Sequence, residues 1–266
     1  MTEIGNQMRR AVTADGSAGD ADYGRIGRDY QSYRRADARI SAEIQAAFGG
    51  ARTVVNVGAG AGSYEPTDRA VTAVEPSAVM RSQRPEHLSP AIDAVAEALP
   101  FADDTFDAAL ATFTVHQWRD RAAGLREMRR VARGPVVVLT CDPFALDRFW
   151  LAWYAPEVIA VEAGRYPRIA DIRRELGGTT EVINVPIPHD CTDGFGEAYF
   201  ARPEVLLDPG ARLANSAWSF VAPDVEERFE RRLRADLASG EWDRRFGVLR
   251  GQSTFDGSLR LVVARP

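Results

Sequence analysis

Three closely spaced glycines follow an apolar segment of the chain and mark a place where a ligand could contact backbone amides. Thr53 to Val57 is largely apolar and rich in β-branched residues, which is typical of a strand buried on both faces of a parallel sheet. Gly58, Gly60 and Gly62 come next. Without a Cβ the chain can turn sharply there, and a ligand can approach the N–H groups closely.

An acidic residue follows the next apolar segment. Val71 to Val74 predicts a second short strand, and Glu75 and Pro76 stand at its carboxyl end. Ligands of open α/β sheets bind at this edge, where an acid commonly accepts hydrogen bonds from ribose hydroxyls. The pattern therefore predicts a strand, glycine loop, helix and second strand that together bind a nucleoside. Gly58, Ala59, Gly60, Glu75 and Pro76 are the candidate contacts.

The glycine spacing narrows the choice of nucleoside. The dinucleotide fingerprint is G-x-G-x-x-G, but position 63 is Ser and the third glycine is Gly62. The resulting G-x-G-x-G resembles motif I of the class I S-adenosylmethionine-dependent methyltransferases. That resemblance implies S-adenosylmethionine as the cofactor, and S-adenosylhomocysteine as its product. The alternative is a tight strand-to-helix turn that binds nothing.

A longer motif lies between residues 96 and 107. It reads Ala-Glu-Ala-Leu-Pro-Phe-Ala-Asp-Asp-Thr-Phe-Asp and precedes the apolar strand Ala108 to Thr112. It resembles the A-E-x-L-P-F-x-D-x-x-F-D signature of the type 11 methyltransferase family. The resemblance implies adenine contacts by Ala96 and Glu97. The family usually has Asp just before this pair, whereas this chain has Val95.

Two histidines are candidate general bases, because an imidazole titrates near neutral pH. His116 follows the predicted fourth strand, whose end also supplies Thr112 and Thr114 as cofactor contacts. His189 follows the predicted sixth strand and is equally well placed by position. Either could instead shape the pocket or form a local hydrogen bond. Carboxylates are not clustered in a way that predicts a metal site.

The amino-terminal region is expected to contain a tail over residues 1–22 and a helical lid over residues 23–50. Tyr23, Tyr30 and Tyr33 precede the lid's main helix. Aromatic faces would stabilise a cationic sulfonium, which makes Tyr33 a candidate cofactor contact and Tyr23 a candidate substrate contact. The alternative is that these tyrosines only pack the helix against the sheet.

The carboxyl-terminal half is expected to cover the site. Residues of about 143–168 and 191–255 form two aromatic-rich insertions, each following a predicted strand whose carboxyl end faces the ligand. Candidate substrate contacts are Trp153, Tyr154, Tyr199 and Phe200. At least half of such aromatic residues are expected to be ordinary core.

The family resemblance implies an α/β fold of Rossmann-like type. We expect a seven-stranded doubly wound sheet of order 3-2-1-4-5-7-6, with strand 7 antiparallel and a helical cap. Residues 51–142 would form the cofactor-binding core, and residues 143–266 the rest of the sheet and the cap. The third strand is expected around Asp93 to Val95.

Composition excludes several classes of protein. The chain has 266 residues, a net charge of −5 and a pI near 5.4, which argues against a general nucleic-acid binder. No apolar run approaches the roughly 20 residues of a membrane span, and the amino terminus lacks the apolar core of a signal peptide. Cys141 and Cys191 lack metal or disulfide spacing, so a cytoplasmic location is expected.

These observations favour methyl transfer to a small-molecule acceptor, such as a bacterial natural product. Two alternatives stay open. A non-catalytic or repurposed S-adenosylmethionine-binding protein would bind the cofactor without turnover. An NAD(P)-dependent oxidoreductase, which Ser63 disfavours, would bind NAD(P) instead. The sequence leaves the acceptor atom and the oligomeric state undetermined.

Overall fold

The computed structural model describes residues 30–266. The expected tail over residues 1–22 and the candidate substrate contact Tyr23 lie outside the described residues. Tyr30 begins the described part of the chain.

A six-stranded sheet forms the centre of the described molecule. Its strands follow the order β2-β1-β3-β4-β8-β5. The first four are mutually parallel, whereas β8 runs antiparallel to both β4 and β5. The bounds are β1 Thr53–Val57, β2 Ala70–Val74, β3 Ala108–Thr112, β4 Val136–Cys141, β5 Thr179–Asn184 and β8 Leu259–Arg265. The α/β class and the antiparallel last strand are confirmed.

The expected count of seven strands is wrong, because the segment Asp93 to Val95 does not form a strand. Ile92 alone makes a parallel bridge to Val74 beside β2, and the sheet ends there. Pro90, two residues earlier, has no N–H to donate to a strand ladder. The observed order is otherwise the expected one with its third strand omitted.

The helix expected between β1 and β2 is also absent, and residues 58–69 form turns instead. Two features of the segment oppose a helix. Tyr64 has a φ of 62°, outside the helical range, and Pro66 disfavours helical geometry at the residue before it. The site therefore has a glycine loop without a following helix.

Helices cover both faces of the sheet. On one face, Ile40 and Ile44 of α2 pack with the cap against alternate residues of β1, β3 and β4. On the other face, Leu125 and Met128 of α4 pack with Ile172 of α7. The α-helices are α1 Tyr30–Tyr33, α2 Ala38–Phe48, α3 Ala78–Ser82, α4 Arg121–Val131, α5 Leu151–Tyr154, α6 Pro156–Arg165, α7 Ile169–Leu176, α8 Pro209–Leu213, α9 Pro223–Ser239 and α10 Glu241–Phe246.

The cap is built from two long insertions, one between β4 and β5 and one between β5 and β8. The first contributes α5 and α6 to the cap before its α7 packs beside α4 on the other face of the sheet. The second contains α8, α9 and α10 together with several 3₁₀ turns. β5 ends at Asn184. Pro186 follows, and β6 (Ile187–Pro188) then pairs with β7 (Thr254–Phe255) in a separate two-stranded sheet.

The last residue of the long motif, Asp107, fixes the start of β1. One oxygen of its carboxylate accepts hydrogen bonds from the N–H groups of Arg52 and Thr53, both at 2.9 Å. Its other oxygen pairs with Arg133. These donors hold the pKa of Asp107 well below its usual range. The motif therefore carries a structural anchor of the sheet as well as the expected ligand contacts.

We predict that Asp107→Ala lowers the free energy of unfolding at pH 7 by about 1–2 kcal/mol, because it leaves two backbone amides at the start of β1 without an acceptor. The folded pKa lies below the unfolded value of about 4, so the contribution is present above that pH and is lost as the pH falls. Urea titrations of wild type and variant should therefore converge under acid conditions. Asp224→Ala, on an exposed helix start, is the control, and a pH-independent difference would contradict the assignment.

Candidate active site

A cleft opens at the carboxyl ends of β1, β2 and β3. It encloses about 890 Å³, counted out to solvent. Nine of the ten residues predicted to contact the cofactor line this cleft. They are Gly58, Ala59, Gly60, Glu75, Pro76, Ala96, Glu97, Thr112 and Thr114. The loops after three neighbouring strands thus bring these positions together.

The glycine loop has the geometry that makes glycine necessary. Gly58 has a φ of 69°, and a Cβ there would lie 2.1 Å from the Thr114 hydroxyl oxygen. Gly60 also has a positive φ, of 52°, but a Cβ there would only touch the end of Met80 at 3.4 Å. Gly58 therefore permits close packing against β3, whereas Gly60 leaves bare backbone facing the cleft.

Glu75 connects the glycine loop with the turn after β2. Its carboxylate accepts a hydrogen bond from the Gly60 N–H at 2.8 Å and another from the Ser77 N–H at 2.8 Å. The side chain is buried yet lines the cleft. A carboxylate held there can accept hydrogen bonds from the hydroxyls of a ribose.

Ala96 and Glu97 lie on the wall of the same cleft. The Glu97 carboxylate accepts a hydrogen bond from the Asp120 N–H at 2.9 Å, which fixes it beside the start of α4. Trp118 is buried behind this wall, and its indole N–H donates to the Thr114 hydroxyl at 3.3 Å. An adenine ring would thus find apolar surface and a positioned acid on one side.

Tyr33 lies elsewhere. Its hydroxyl donates to Asp208 at 2.6 Å, and its ring packs on Gly210 of α8 in the cap. The neighbouring Arg34 lines the cleft instead. Tyr33 therefore joins the amino-terminal segment to the cap, and its proposed contact with the cofactor stays a prediction.

Arg34 belongs to a buried polar group that sequence reasoning missed. Its guanidinium lies 2.5 Å from Asp193, and the Tyr64 hydroxyl donates to the same carboxylate at 3.0 Å. Burial and the nearby Asp193 charge raise the pKa of Tyr64, which keeps its hydroxyl protonated as a donor. The group joins the amino-terminal segment, the glycine loop and the loop after β6.

Phe113 is a further residue that the sequence did not indicate. It follows β3 directly and has a φ of 51°, which is costly for a bulky side chain. Its ring lies 5.3 Å from the Arg34 guanidinium carbon and 5.3 Å from the Phe195 ring. Strained backbone beside a ligand cleft is typical of functional sites. The sequence does not indicate it here, because a Phe gives no reason to expect a positive φ.

His116 lines a second cavity, called here the outer cavity, whose volume counted out to solvent is about 430 Å³. Arg34, Phe113 and Gln117 line both this cavity and the cleft, so the two spaces adjoin. The His116 ring is buried, lies 4.4 Å from the Tyr166 ring and has its Nε2 atom 2.8 Å from the Gln117 amide nitrogen. A group bound here would lie next to a ligand in the cleft.

His189 does not line the cleft or the outer cavity. Its backbone N–H donates to the Ser253 carbonyl at 2.9 Å, and its ring lies 6.1 Å from the Phe200 ring beside the small sheet. Its candidate role as a general base stays a prediction.

Metal binding finds no support in the described part of the chain. Among residues 30–266, no group of three or more His, Cys, Asp or Glu side chains is placed to bind a metal ion.

The four described aromatic candidates for substrate contact pack within the cap. Tyr154 donates its hydroxyl to Asp236, and Phe200 stacks on Phe255. Tyr199 is buried against Arg202, and Trp153, 45% exposed, lies under Arg245. None of the four lines the cleft or the outer cavity. Their expected substrate contacts stay predictions.

The α/β fold and the position of the cleft at the carboxyl ends of parallel strands are those of the methyltransferase class. Residues 55–138, about a third of the chain, match a family model described as a methyltransferase domain, type 11. A crystal structure from Anabaena variabilis, described as a methyltransferase from an antibiotic biosynthesis pathway, is 29% identical with a TM-score of 0.80. The alignment covers 87% of this chain and 98% of that one.

Two further comparisons are more limited. A Thermotoga maritima structure, described as an S-adenosylmethionine-dependent methyltransferase, is 17% identical with a TM-score of 0.53, over 91% of this chain and 95% of that one. An uncharacterised Escherichia coli protein, YafE, is 41% identical over 46 residues, so this chain matches over 16% of its own length and 22% of YafE. Residues 55–138 thus match the type 11 methyltransferase family, whose cofactor is S-adenosylmethionine.

No helix among the described residues is long and apolar enough to cross a membrane.

We predict that Glu75→Ala raises the dissociation constant for S-adenosylmethionine at least about tenfold, because charge-assisted hydrogen bonds to the ribose are lost. Titration calorimetry measures the constant directly. Glu86→Ala, on the exposed loop after α3, is the control. An unchanged constant for Glu75→Ala would show that another group binds the ribose.

Proposed function

We propose that this protein transfers a methyl group from S-adenosylmethionine to a small-molecule acceptor of bacterial specialised metabolism. One observation carries the proposal. The cleft suited to the methyl donor shares Arg34, Phe113 and Gln117 with a separate cavity, and that cavity contains a buried histidine. A donor site adjoining an enclosed second site is the arrangement that transfer between two bound molecules requires.

The residues of the cleft fit the proposed donor. Glu75 would bind the ribose hydroxyls, and Ala96 and Glu97 would contact the adenine. The Gly58 to Gly60 backbone and the Thr112 and Thr114 positions would contact the remaining part of the molecule. When bound, S-adenosylmethionine supplies an electrophilic methyl group on a sulfonium. The bare backbone at Gly60 leaves room for such a ligand against the loop.

The protein would act mainly by alignment. Phe113 and Gln117, on the boundary between the two spaces, would position the acceptor atom in line with the methyl carbon and the sulfur. Correct orientation of two bound reactants can supply roughly 7–11 kcal/mol of the barrier. As the acceptor atom bonds to the methyl carbon, the carbon–sulfur bond breaks and its electrons stay on sulfur. A proton on the acceptor would pass to His116.

Two observations support a small acceptor. Even when its volume is counted out to solvent, the outer cavity measures only about 430 Å³, which suits a compact organic molecule better than a polymer. The Anabaena variabilis structure, similar over most of its length, is described as belonging to an antibiotic biosynthesis pathway. The net charge of −5 gives no support to a nucleic-acid acceptor.

Turnover distinguishes this proposal from a protein that binds the cofactor without using it. Purified full-length protein would be incubated with S-adenosylmethionine and fractionated extract of a bacterium that makes specialised metabolites. The expected result is formation of S-adenosylhomocysteine above the rate without extract, with matching methylated mass. Binding by calorimetry without turnover in any fraction would favour the non-catalytic alternative. Binding of NAD(P) instead of S-adenosylmethionine would favour an oxidoreductase.

We predict that His116→Ala lowers kcat about 100-fold or more, with partial recovery as the pH rises, because an acceptor that ionises in solution no longer needs a base. Initial rates across pH 6 to 10, roughly the range in which such acceptors ionise, measure the effect. His87→Ala, on an exposed loop, is the matched control. A larger loss for His189→Ala than for His116→Ala would reverse the assignment.

A further inference from the structure

A third space, called here the inner cavity, lies behind the outer cavity and within the cap. Its volume, counted out to solvent, is about 450 Å³. Glu162, Tyr166, Phe195 and Asn215 line both the inner and the outer cavity. The cleft, the outer cavity and the inner cavity therefore follow one another, with the methyl-donor site at one end.

The wall of the inner cavity is mainly apolar. Leu146, Leu151, Val158 and Ile159 contribute aliphatic surface, and Phe149 and Trp218 contribute aromatic faces. Most of these side chains are buried in the core that joins the cap to the sheet. An apolar molecule about the size of one ring would replace empty space with van der Waals contacts there.

An acidic side chain, Glu197, interrupts this apolar wall away from the boundary with the outer cavity. Only 3% of its surface is exposed, yet it lines the inner cavity. Its carboxylate accepts hydrogen bonds from the Ser258 N–H at 2.9 Å and from the Ser258 hydroxyl at 2.5 Å. Gly257 lies so close that a Cβ there would fall 2.5 Å from the carboxylate. These contacts hold both oxygens in a fixed position.

Hydrogen bonding to Ser258 does not by itself require a charge at position 197. A neutral amide could accept hydrogen bonds from Ser258, whereas burying a carboxylate among apolar side chains is costly unless the charge is paired. Burial raises the pKa of Glu197 to about 7. The other ionisable groups that line this cavity are Cys141, Glu162 and Tyr166. The buried Arg260 guanidinium does not line the cavity, but it attracts the Glu197 charge and partly offsets the effect of burial on the pKa of Glu197. Burial raises the pKa values of the Cys141 thiol and the Tyr166 phenol, so both of these groups remain neutral.

We propose that the inner cavity binds the end of the acceptor remote from the methylated atom, and that Glu197 accepts a hydrogen bond from it. The acceptor class is then a molecule with a ring-sized apolar body that ends in a hydroxyl or an amine. At pH values above the pKa of Glu197, at which its carboxylate is charged, a carboxylate or phosphate at that end is excluded by repulsion. The inference rests on the proposed function, because it assigns the substrate class of that site.

Four small probes share one ring and differ in one group: benzyl alcohol, benzylamine, toluene and benzoate. Each would be titrated into full-length protein saturated with S-adenosylhomocysteine, which fills the cleft. We expect benzyl alcohol or benzylamine to bind at least about tenfold more tightly than toluene, and benzoate not to bind. Whichever of benzyl alcohol and benzylamine binds more tightly indicates whether the natural acceptor ends in a hydroxyl or in an amine. Equal affinity for toluene and both donors, or tight benzoate binding, would overturn the proposal.

The variant Glu197→Gln tests the carboxylate itself. It should weaken benzylamine binding at least about tenfold, or benzyl alcohol binding if that is the tighter probe, and change toluene binding less than about twofold. Glu227→Gln, on the exposed face of α9, is the matched control. Unchanged selectivity in Glu197→Gln would show that the carboxylate serves only Ser258.

A second variant covers the case in which Glu197→Gln does not fold. Ala217 lines the inner cavity, so Ala217→Leu should fill it and abolish probe binding while S-adenosylhomocysteine still binds. Probe binding that persists in this variant places the probes elsewhere and overturns the inference. Failure of the wild type to bind S-adenosylhomocysteine at all would instead contradict the proposed function, so the two failures are distinguishable.

Discussion

The hydrogen bonds from two backbone amides to the Glu75 carboxylate determine the shape of the donor cleft. Gly60 belongs to the loop after β1 and Ser77 to the turn after β2, so one side chain fixes both loops relative to each other. The parallel pairing of β1 and β2 brings these loops to the same edge. Residues 58–69 contain no helix. The Glu75 carboxylate therefore fixes the conformation of the glycine loop, which the first turn of a helix would otherwise do.

A buried pair of opposite charges holds the cap in position. Arg34 and Asp193 are joined across 159 positions of the chain, and Tyr64 of the glycine loop donates to the same carboxylate. Removing one partner of such a pair leaves an uncompensated buried charge. The resulting loss of stability is larger than the net contribution of the intact pair to stability. These contacts connect the cap with the glycine loop. The Arg34 guanidinium also lies over the ring of Phe113, which lines the cleft.

Local sequence patterns predicted the parts of the site that depend on local backbone geometry. The apolar segment before Gly58, the glycine spacing and Glu75 each report a strand end or a turn, and the structure places them on one cleft. The cap was less predictable. Tyr154 and Phe200 are as aromatic as Phe149 and Trp218, yet the first pair fills the core and the second lines a cavity. Tertiary packing decides which aromatic side chains fill the core and which line a cavity. The hydrophobic periodicity of the sequence does not show this difference.

Long-range polar contacts escaped sequence reasoning for the same reason. Nothing near Asp193 indicates that it pairs with Arg34, and nothing near Glu197 indicates that Ser258 will lie against it. Both carboxylates are buried in the cap, but their surroundings differ. The Asp193 carboxylate is paired directly with a guanidinium, whereas the Glu197 carboxylate accepts hydrogen bonds from neutral donors, is attracted by the Arg260 guanidinium without a direct hydrogen bond, and lines a cavity. The first arrangement joins the cap to the amino-terminal segment, and the second places a carboxylate on the wall of the proposed acceptor site.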